Sequence, residues 1–232
     1  MLGIIGAMDE EVNKLKDMLD NVTVIDKAGM EFYKGAMDGR EVVIVRSGIG
    51  KVNAGICTQL LIDLFDVSAI INTGIAGSLN DEINIGDIVL SSDALQHDVD
   101  AKAFGYEAGI IPRMDTSVFQ ADKGLMELAS KCCNEVLKGI KAFEGRIVSG
   151  DQFISDKEKK KWLKDTFGGL CTEMEGAAVA HTAYLNKVPF LIIRAISDKA
   201  DDSASMDYPA FEAMAIDNSV KLMSDIIRKG SF

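Results

Sequence analysis

The sequence predicts an α/β fold, with helices on both faces of a mixed, mostly parallel twisted sheet, three layers deep (α/β/α). Three observations carry that prediction. Short apolar runs bounded by Gly or turn residues recur at Leu2–Gly6, Ala69–Asn72, Gly86–Leu90 and Phe190–Ile196, as expected of strands covered on both faces. Stretches with helical spacing of apolar residues fall between them, and parallel strands need such crossovers. The texture is uniform across 232 residues, with only 3 Pro and no Ser/Gly-rich linker or repeat, so one domain spanning residues 1–232 is expected. At 47% hydrophobic residues the chain can bury a large core, which argues against intrinsic disorder.

Leu2–Gly6 reads as a strand turning at Gly6-Ala7-Met8 into a helix, where Val12, Leu15, Met18 and Leu19 recur at helical spacing. Asp9, Glu10 and Glu11 then occupy its first turn and complement the helix dipole. One of the three can point back over the strand end, and periodicity does not choose which. Gly3 and Gly6 are only a fragment of G-x-G-x-x-G, so no dinucleotide site is expected. Val22–Asp26, Phe32–Met37 and Glu41–Arg46 form a meander, the last two strands joined by a tight Asp38-Gly39 turn.

Ser47–Gly50 leads into a helix over Lys51–Phe65, with Val52, Ile56, Leu60, Leu61 and Leu64 apolar. The strand Ala69–Asn72 closes on Thr73-Gly74-Ile75-Ala76-Gly77-Ser78. This is either a plain tight turn or a place where small residues such as Ala76 and Gly77 let the backbone approach a flat ligand or a sugar. A long irregular segment runs from His97 to Pro112. Its His97-Asp98-Val99-Asp100 lacks a tetrahedral zinc pattern, so no metal is assigned and a structural hydrogen-bond network is expected. Phe119–Leu137 reads as helix and Ile140–Ser149 as extended. Gly150–Ile154 reads as a loop, and Ser155–Phe167 as a basic helix capped by Ser155, with Trp162 and Leu163 facing inward.

The stretch Glu173–Asp201 organises the rest. It reads as a helix opening on Glu173 and Glu175, a turn at Lys187–Pro189, and an apolar strand, Phe190–Ile196, with Arg194 inside it. In α/β sheets ligands bind beyond the carboxyl ends of the strands, where Ser197 and Asp198 lie. Glu173 is expected to stabilise the helix N-terminus. Glu175 stands against the small, buried run Ala177–Ala180, so its carboxylate needs a polar partner, and a sugar diol would serve. A polar loop, Asp201–Asp207, and a helix, Tyr208–Arg228, follow.

Charge and cysteine usage exclude other classes. A formal net charge of -11 opposes binding to a phosphate backbone, so nucleic acid is not an expected partner. The basic run Lys157–Lys164 reads as a solvated helix face rather than an anion patch. No apolar run approaches the ~20 residues that span a bilayer, and the first residues lack the basic start of a signal peptide. Four cysteines (Cys57, Cys132, Cys133, Cys171) show no C-x-x-C spacing, so a cytoplasmic protein with reduced thiols is expected.

Seven segments in order carry a resemblance: G-I-I-G-A-M-D-E-E-V (3–12), S-G-I-G-K-V-N-A (47–54), I-N-T-G-I-A-G (71–77), H-D-x-D…A-F-G-Y-E (97–107), V-S-G-D-Q-F-I (148–154), E-M-E-G-A-A-V-A-H (173–181) and R-A-I-S-D-K-A-D (194–201). Together they closely resemble the bacterial 5′-methylthioadenosine/S-adenosylhomocysteine nucleosidases, over essentially the whole chain. The resemblance implies the nucleoside phosphorylase-like fold, a homodimer, and hydrolysis of the bond between adenine and a 5′-thio-substituted ribose without metal or organic cofactor. On this likeness Glu11 activates water and Asp198 protonates adenine, with Ser197 orienting its carboxyl. Glu175 and the backbone of Met174 hold the ribose diol. Phe153 stacks on adenine while the backbone of Ile154 reads its edge. Met8, Ile49 and Tyr208 line the thioalkyl pocket, and Phe104 and Pro112 come from the partner subunit. Ile75 stands where many relatives carry a small hydroxyl residue, which leaves Arg194 and Glu11 to orient the water.

The chemistry agrees with that assignment. Cleaving a nucleoside needs an acid for the departing base and a base for water, and carboxylates in unlike environments fill both roles. Anions also favour an oxocarbenium-like transition state. Three rivals remain: a purine nucleoside phosphorylase, which needs a cationic phosphate cradle where Met8–Glu11 is acidic; a related nucleosidase acting on aminodeoxyfutalosine; and a nucleoside-binding module without catalysis.

Overall fold

The structure, a computed structural model, describes residues 1–232 apart from the side chain of Met206. Strands β1 (Leu2–Gly6), β4 (Arg40–Arg46), β5 (Ala69–Ser78) and β10 (Phe190–Asp198) pair in parallel as the central run β4-β1-β5-β10. The meander β2 (Asp20–Lys27), β3 (Met30–Met37) and β4 flanks it. Asp38 and Gly39 both take positive φ (49° and 75°), as a tight hairpin between right-twisted strands requires.

On the other side, β10 pairs antiparallel with β6 (Ile88–Gln96), which pairs in parallel with β8 (Ala142–Ser149). β8 pairs with β9 (Cys171–Glu173), and β9 returns to β5. The mixed sheet therefore curls until β5, β10, β6, β8 and β9 close a ring. Antiparallel pairs are as numerous as parallel ones, because the meander and the short strands β7 (Phe119–Gln120) and β9 need no crossover helix.

Helices cover both faces. α1 (Asp9–Lys16), α3 (Lys123–Val136) and α6 (Ala204–Lys229) bury Val12, Leu15, Ala129, Ile216 and Met223 against one side of the sheet. α2 (Lys51–Phe65) and α5 (Gly176–Asn186) bury Cys57, Leu61, Ala177 and Val179 against the other. α4 (Lys157–Phe167) packs Leu163 and Phe167 on a smaller cluster with Leu79 and Val148.

Several elements differ from the sequence expectation, each for a physical reason. Thr73–Ser78 is not a turn: it continues β5, fully buried, because Gly74 and Gly77 leave space there rather than bend the chain. Phe119–Leu137 begins as strand β7, and Asp122 caps α3 by accepting from the Leu125 amide. α4 is capped by Asp156, not Ser155, and its Trp162 is only half-buried. α1 stops at Lys16, leaving Met18 exposed, and α6 starts at Ala204, before Pro209. On α2, Val52 is 72% exposed, and Ile56 and Leu64 are exposed beside it. His97 is buried, yet neither ring nitrogen has a hydrogen-bond partner among the described residues, so the expected network runs through the aspartates: Asp98 accepts from Lys51 and the Asp151 amide, and Asp100 from the Lys102 amide.

Candidate active site

A cavity of about 250 Å³ opens at the carboxyl ends of β1, β5 and β10, where strands hand over to loops and helix N-termini. Four carboxylates converge on it, and each is set by a different local device.

Glu11 comes from the first turn of α1. Its neighbours Asp9 and Glu10 are exposed, whereas Glu11 is 6% exposed and turns back under the end of β1. Oε2 accepts from the amides of Ala7 (2.6 Å) and Met8 (3.0 Å), and Oε1 from that of Ile75 (3.2 Å). Burial raises its pKa above the usual carboxylate value, while the Arg194 charge and these three amides oppose the shift. Gly74 makes room: a Cβ there would stand 2.5 Å from Glu11 Oε1.

Asp198 ends β10. The ladder with β5 shifts register between Ile196 and Asp198, a bulge that sets both Ser197 and Asp198 on the cavity wall, where regular alternation would separate them. The Asp198 carboxyl accepts from the Ser197 hydroxyl (2.8 Å) and the Ala200 amide (2.8 Å). Burial still pushes its pKa up, with Asp207 and Asp201 adding to the rise. It is opposite Gly77, whose missing Cβ would lie 2.7 Å from Oδ1.

Glu175 is the N-cap residue of α5 and accepts from the Gly50 amide (2.8 Å). Burial and the neighbouring Glu173 raise its pKa to about 8. Glu173 is not in the helix as expected: it closes β9. It does accept from the Glu175 and Gly176 amides, so it serves the helix start, but it also pairs with Arg194 and accepts from Ser149. Burial alone would raise its carboxyl, and Arg194 and Ser149 hold it below the usual range instead.

Arg194 is buried behind the cavity rather than lining it. Its Nε and Nη2 donate to Glu173, Nη2 also to Asn72 Oδ1 (2.5 Å), and Nη1 to the carbonyls of Asn72 (3.2 Å) and Ile193 (3.0 Å). All five guanidinium N–H groups are engaged. None is left for a water, so Arg194 acts on Glu11 by its charge alone, a correction to the expectation that it orients water directly.

The other expected residues divide plainly. Met8, Ile49, Ala76, Gly77, Phe153, Met174 and Tyr208 line the cavity, and so does Ile75, which brings no hydroxyl to it. Phe153 meets the Tyr208 ring edge-on at 6.0 Å. Ile154 lines a small adjoining recess shared with Gly77, Phe153, Thr172 and Asp198. Phe104 is 84% exposed and Pro112 is exposed, and neither reaches the cavity of its own chain. Ala7 and Thr172 line the cavity without having been anticipated. Ala7 lies inside a quoted motif, whereas a Thr in the short strand 171–173 carries no sequence signal.

Comparison with known proteins adds an independent line. The phosphorylase superfamily model matches residues 1–228. A 5′-methylthioadenosine/S-adenosylhomocysteine nucleosidase of Staphylococcus aureus is 47% identical over 221 residues, 94% of this chain and 96% of that one. The crystal structure of a nucleosidase of the same name from Neisseria meningitidis, in complex with methylthio-immucillin-A, superposes with a TM-score of 0.94 at 36% identity, covering 99% of each chain. A futalosine hydrolase of Helicobacter pylori superposes with a TM-score of 0.93 at 35% identity, covering 99% of this chain and 97% of that one. With its nucleoside phosphorylase-like sheet and its carboxylate-lined cavity, this chain belongs to the phosphorylase superfamily, among the 5′-methylthioadenosine/S-adenosylhomocysteine nucleosidases.

Proposed function

We propose that this chain, working as one domain, hydrolyses the N-glycosidic bond of 5′-methylthioadenosine and S-adenosylhomocysteine, and also of 5′-deoxyadenosine, releasing adenine and the sugar. The observation that carries the reading is the meeting of Glu11 and Asp198 in one cavity, each held by a different set of donors. Glu11, fixed by three backbone amides, takes the proton of an attacking water. Asp198, with its raised pKa, holds a proton to give to the departing adenine. The Glu175 carboxyl accepts from the ribose hydroxyls, and negative charge on the wall favours the cationic sugar of the transition state. Phe153 stacks on the base, and Met8, Ile49 and Tyr208 enclose the 5′ substituent.

Water rather than phosphate is the nucleophile, because the cavity wall is acidic and its nearby guanidinium has no free donor for an anion. The test is adenine release from methylthioadenosine with and without phosphate. Equal rates and a free reducing sugar are expected, and a ribose 1-phosphate product would refute the reading. The half-exposed Ile49 leaves the 5′ end of the cavity open, which favours a second substrate, aminodeoxyfutalosine, to be assayed in parallel. The reaction uses no metal or organic cofactor.

The active unit in this reading is a homodimer. Val52, Leu64, Leu185 and Phe104 leave apolar surface exposed on α2, α5 and the 97–112 segment, and Phe104 and Pro112 would reach the partner's cavity. Sedimentation at assay concentration checks it, and fully active monomers would contradict it. Four buried, unbridged thiols support a cytoplasmic setting, and the substrates support a place in methionine salvage.

A further inference from the structure

Phe153 borders the cavity from the loop after β8, with 53% of its surface exposed. A ring so open takes little of its position from packing, so the backbone beneath it has to be fixed by its neighbours. Two anchors flank it. On one side Ile154 is buried in the cluster with Leu79 and Leu163. On the other, Asp151 makes the two hydrogen bonds that, among the described residues, tie residues 151–155 to other elements. Its amide donates to Asp98 Oδ2 (3.0 Å), and its Oδ1 accepts from the Lys51 amide (2.8 Å). Asp98 Oδ1 accepts from Lys51 Nζ (2.5 Å), which closes a triangle between the start of α2 and the loops after β6 and β8. The side chains of Lys51 and Asp98 are only 16% and 15% exposed, so solvent and salt screen the pair little. Gly150 permits the close approach: a Cβ there would stand 2.4 Å from His97 Cε1 and 3.1 Å from Asp98 Cγ. Asp98 itself does not border the cavity.

We propose that Asp98 is a positioning residue for the base. It holds the Asp151 amide, and through that amide it keeps the Phe153 ring where it stacks on the purine. This inference rests on Phe153 stacking on adenine, as in the functional reading above.

Asp98→Asn keeps the size of the side chain but replaces two acceptor oxygens with one oxygen and one NH2 group. The Lys51 ammonium takes the oxygen, which turns the NH2 towards the Asp151 amide, donor against donor. That end of the loop is then released while Ile154 still anchors the other. The Kd for adenine, measured by calorimetry, rises about fivefold, a part of what stacking one base on an aromatic ring contributes. KM for methylthioadenosine rises with it, while kcat stays within about threefold because Glu11 and Asp198 keep their own partners. In a Phe153→Ala background, which itself binds adenine more weakly, Asp98→Asn changes Kd by less than about twofold, since the ring it acts through is gone. Adenine binding by Asp98→Asn equal to the wild type overturns the proposal, and so does a loss that persists undiminished in Phe153→Ala. A loss matched by unfolded protein in thermal scans, or by separated subunits in sedimentation, also overturns it, because Asp98 then serves the fold or the assembly. A wild type that binds no adenine would instead refute the functional reading, and this inference with it.

Discussion

Gly74→Ala isolates the placement of Glu11 from its presence. The added Cβ would stand 2.5 Å from Glu11 Oε1 and 3.1 Å from its Cδ, so the carboxylate must retreat by about 0.9 Å to reach ordinary contact at 3.4 Å. It cannot do so freely, because Ala7, Met8 and Ile75 amides grip both oxygens, and the Ile75 bond at 3.2 Å is already the longest. A displacement near 1 Å of a catalytic group typically reduces rate by about 10²-fold, equivalent to roughly 2.7 kcal/mol of barrier. The fold should tolerate the change, since Gly74 has an ordinary strand conformation and Ala is not strained there. The expected outcome is a kcat for adenine release at least about 100-fold below wild type, with a KM that moves much less and a little-changed melting temperature. A kcat within a few-fold of wild type would refute the reasoning, because Glu11 would then be free of the geometry assigned to it.

Asp198→Asn removes the proton donor and should lower kcat by about 10²–10⁴-fold in adenine release, with substrate binding and thermal unfolding retained. In the wild type, kcat should fall as pH rises through the elevated pKa of Asp198, because the acid then loses its proton; a flat profile would contradict the role. Glu173→Ala leaves Arg194 buried without its counter-charge and should destabilise the protein by about 3–5 kcal/mol in urea unfolding. Glu11, Glu175 and Asp198 all bind a proton more tightly folded than unfolded, so stability falls as pH rises above their unfolded values. For Glu175 that window runs up to about 8. The unliganded protein should therefore lose up to about 1.4 kcal/mol per pH unit for this one group from pH 7 to 8. Glu175→Gln should flatten that slope in thermal scans.

The α/β class and most element positions were legible because they follow from local periodicity: α2 runs over Lys51–Phe65 as its spacing predicts, and the Asp38-Gly39 turn joins the strands assigned to it. What escaped prediction depends on long-range space. Three adjacent acids open α1, and only the end of β1 and the gap at Gly74 decide that Glu11 is the buried one. Glu173 resembles any acid near a helix start until Arg194 arrives from a strand 21 residues later. Thr73–Ser78 has turn composition, yet Gly74 and Gly77 serve as clearances for two carboxylates in a straight strand. Phe104 and Pro112 were named through family likeness alone, and one chain by itself gives them nothing to touch.

The extra residue at Ser197 makes the strand end into a frame-sensitive element. An unbroken ladder that paired Ser197 with Gly77 would turn Asp198 to the opposite side of the sheet. No charge, volume or helix would be lost, only the aim. Straightening the strand at this point is thus more damaging than many substitutions, whereas a chain lacking Ser197 would keep the carboxylate opposite Gly77 and lose only the hydroxyl that donates to it. For engineering, the same position offers a way to silence the acid while the rest of the pocket stays formed.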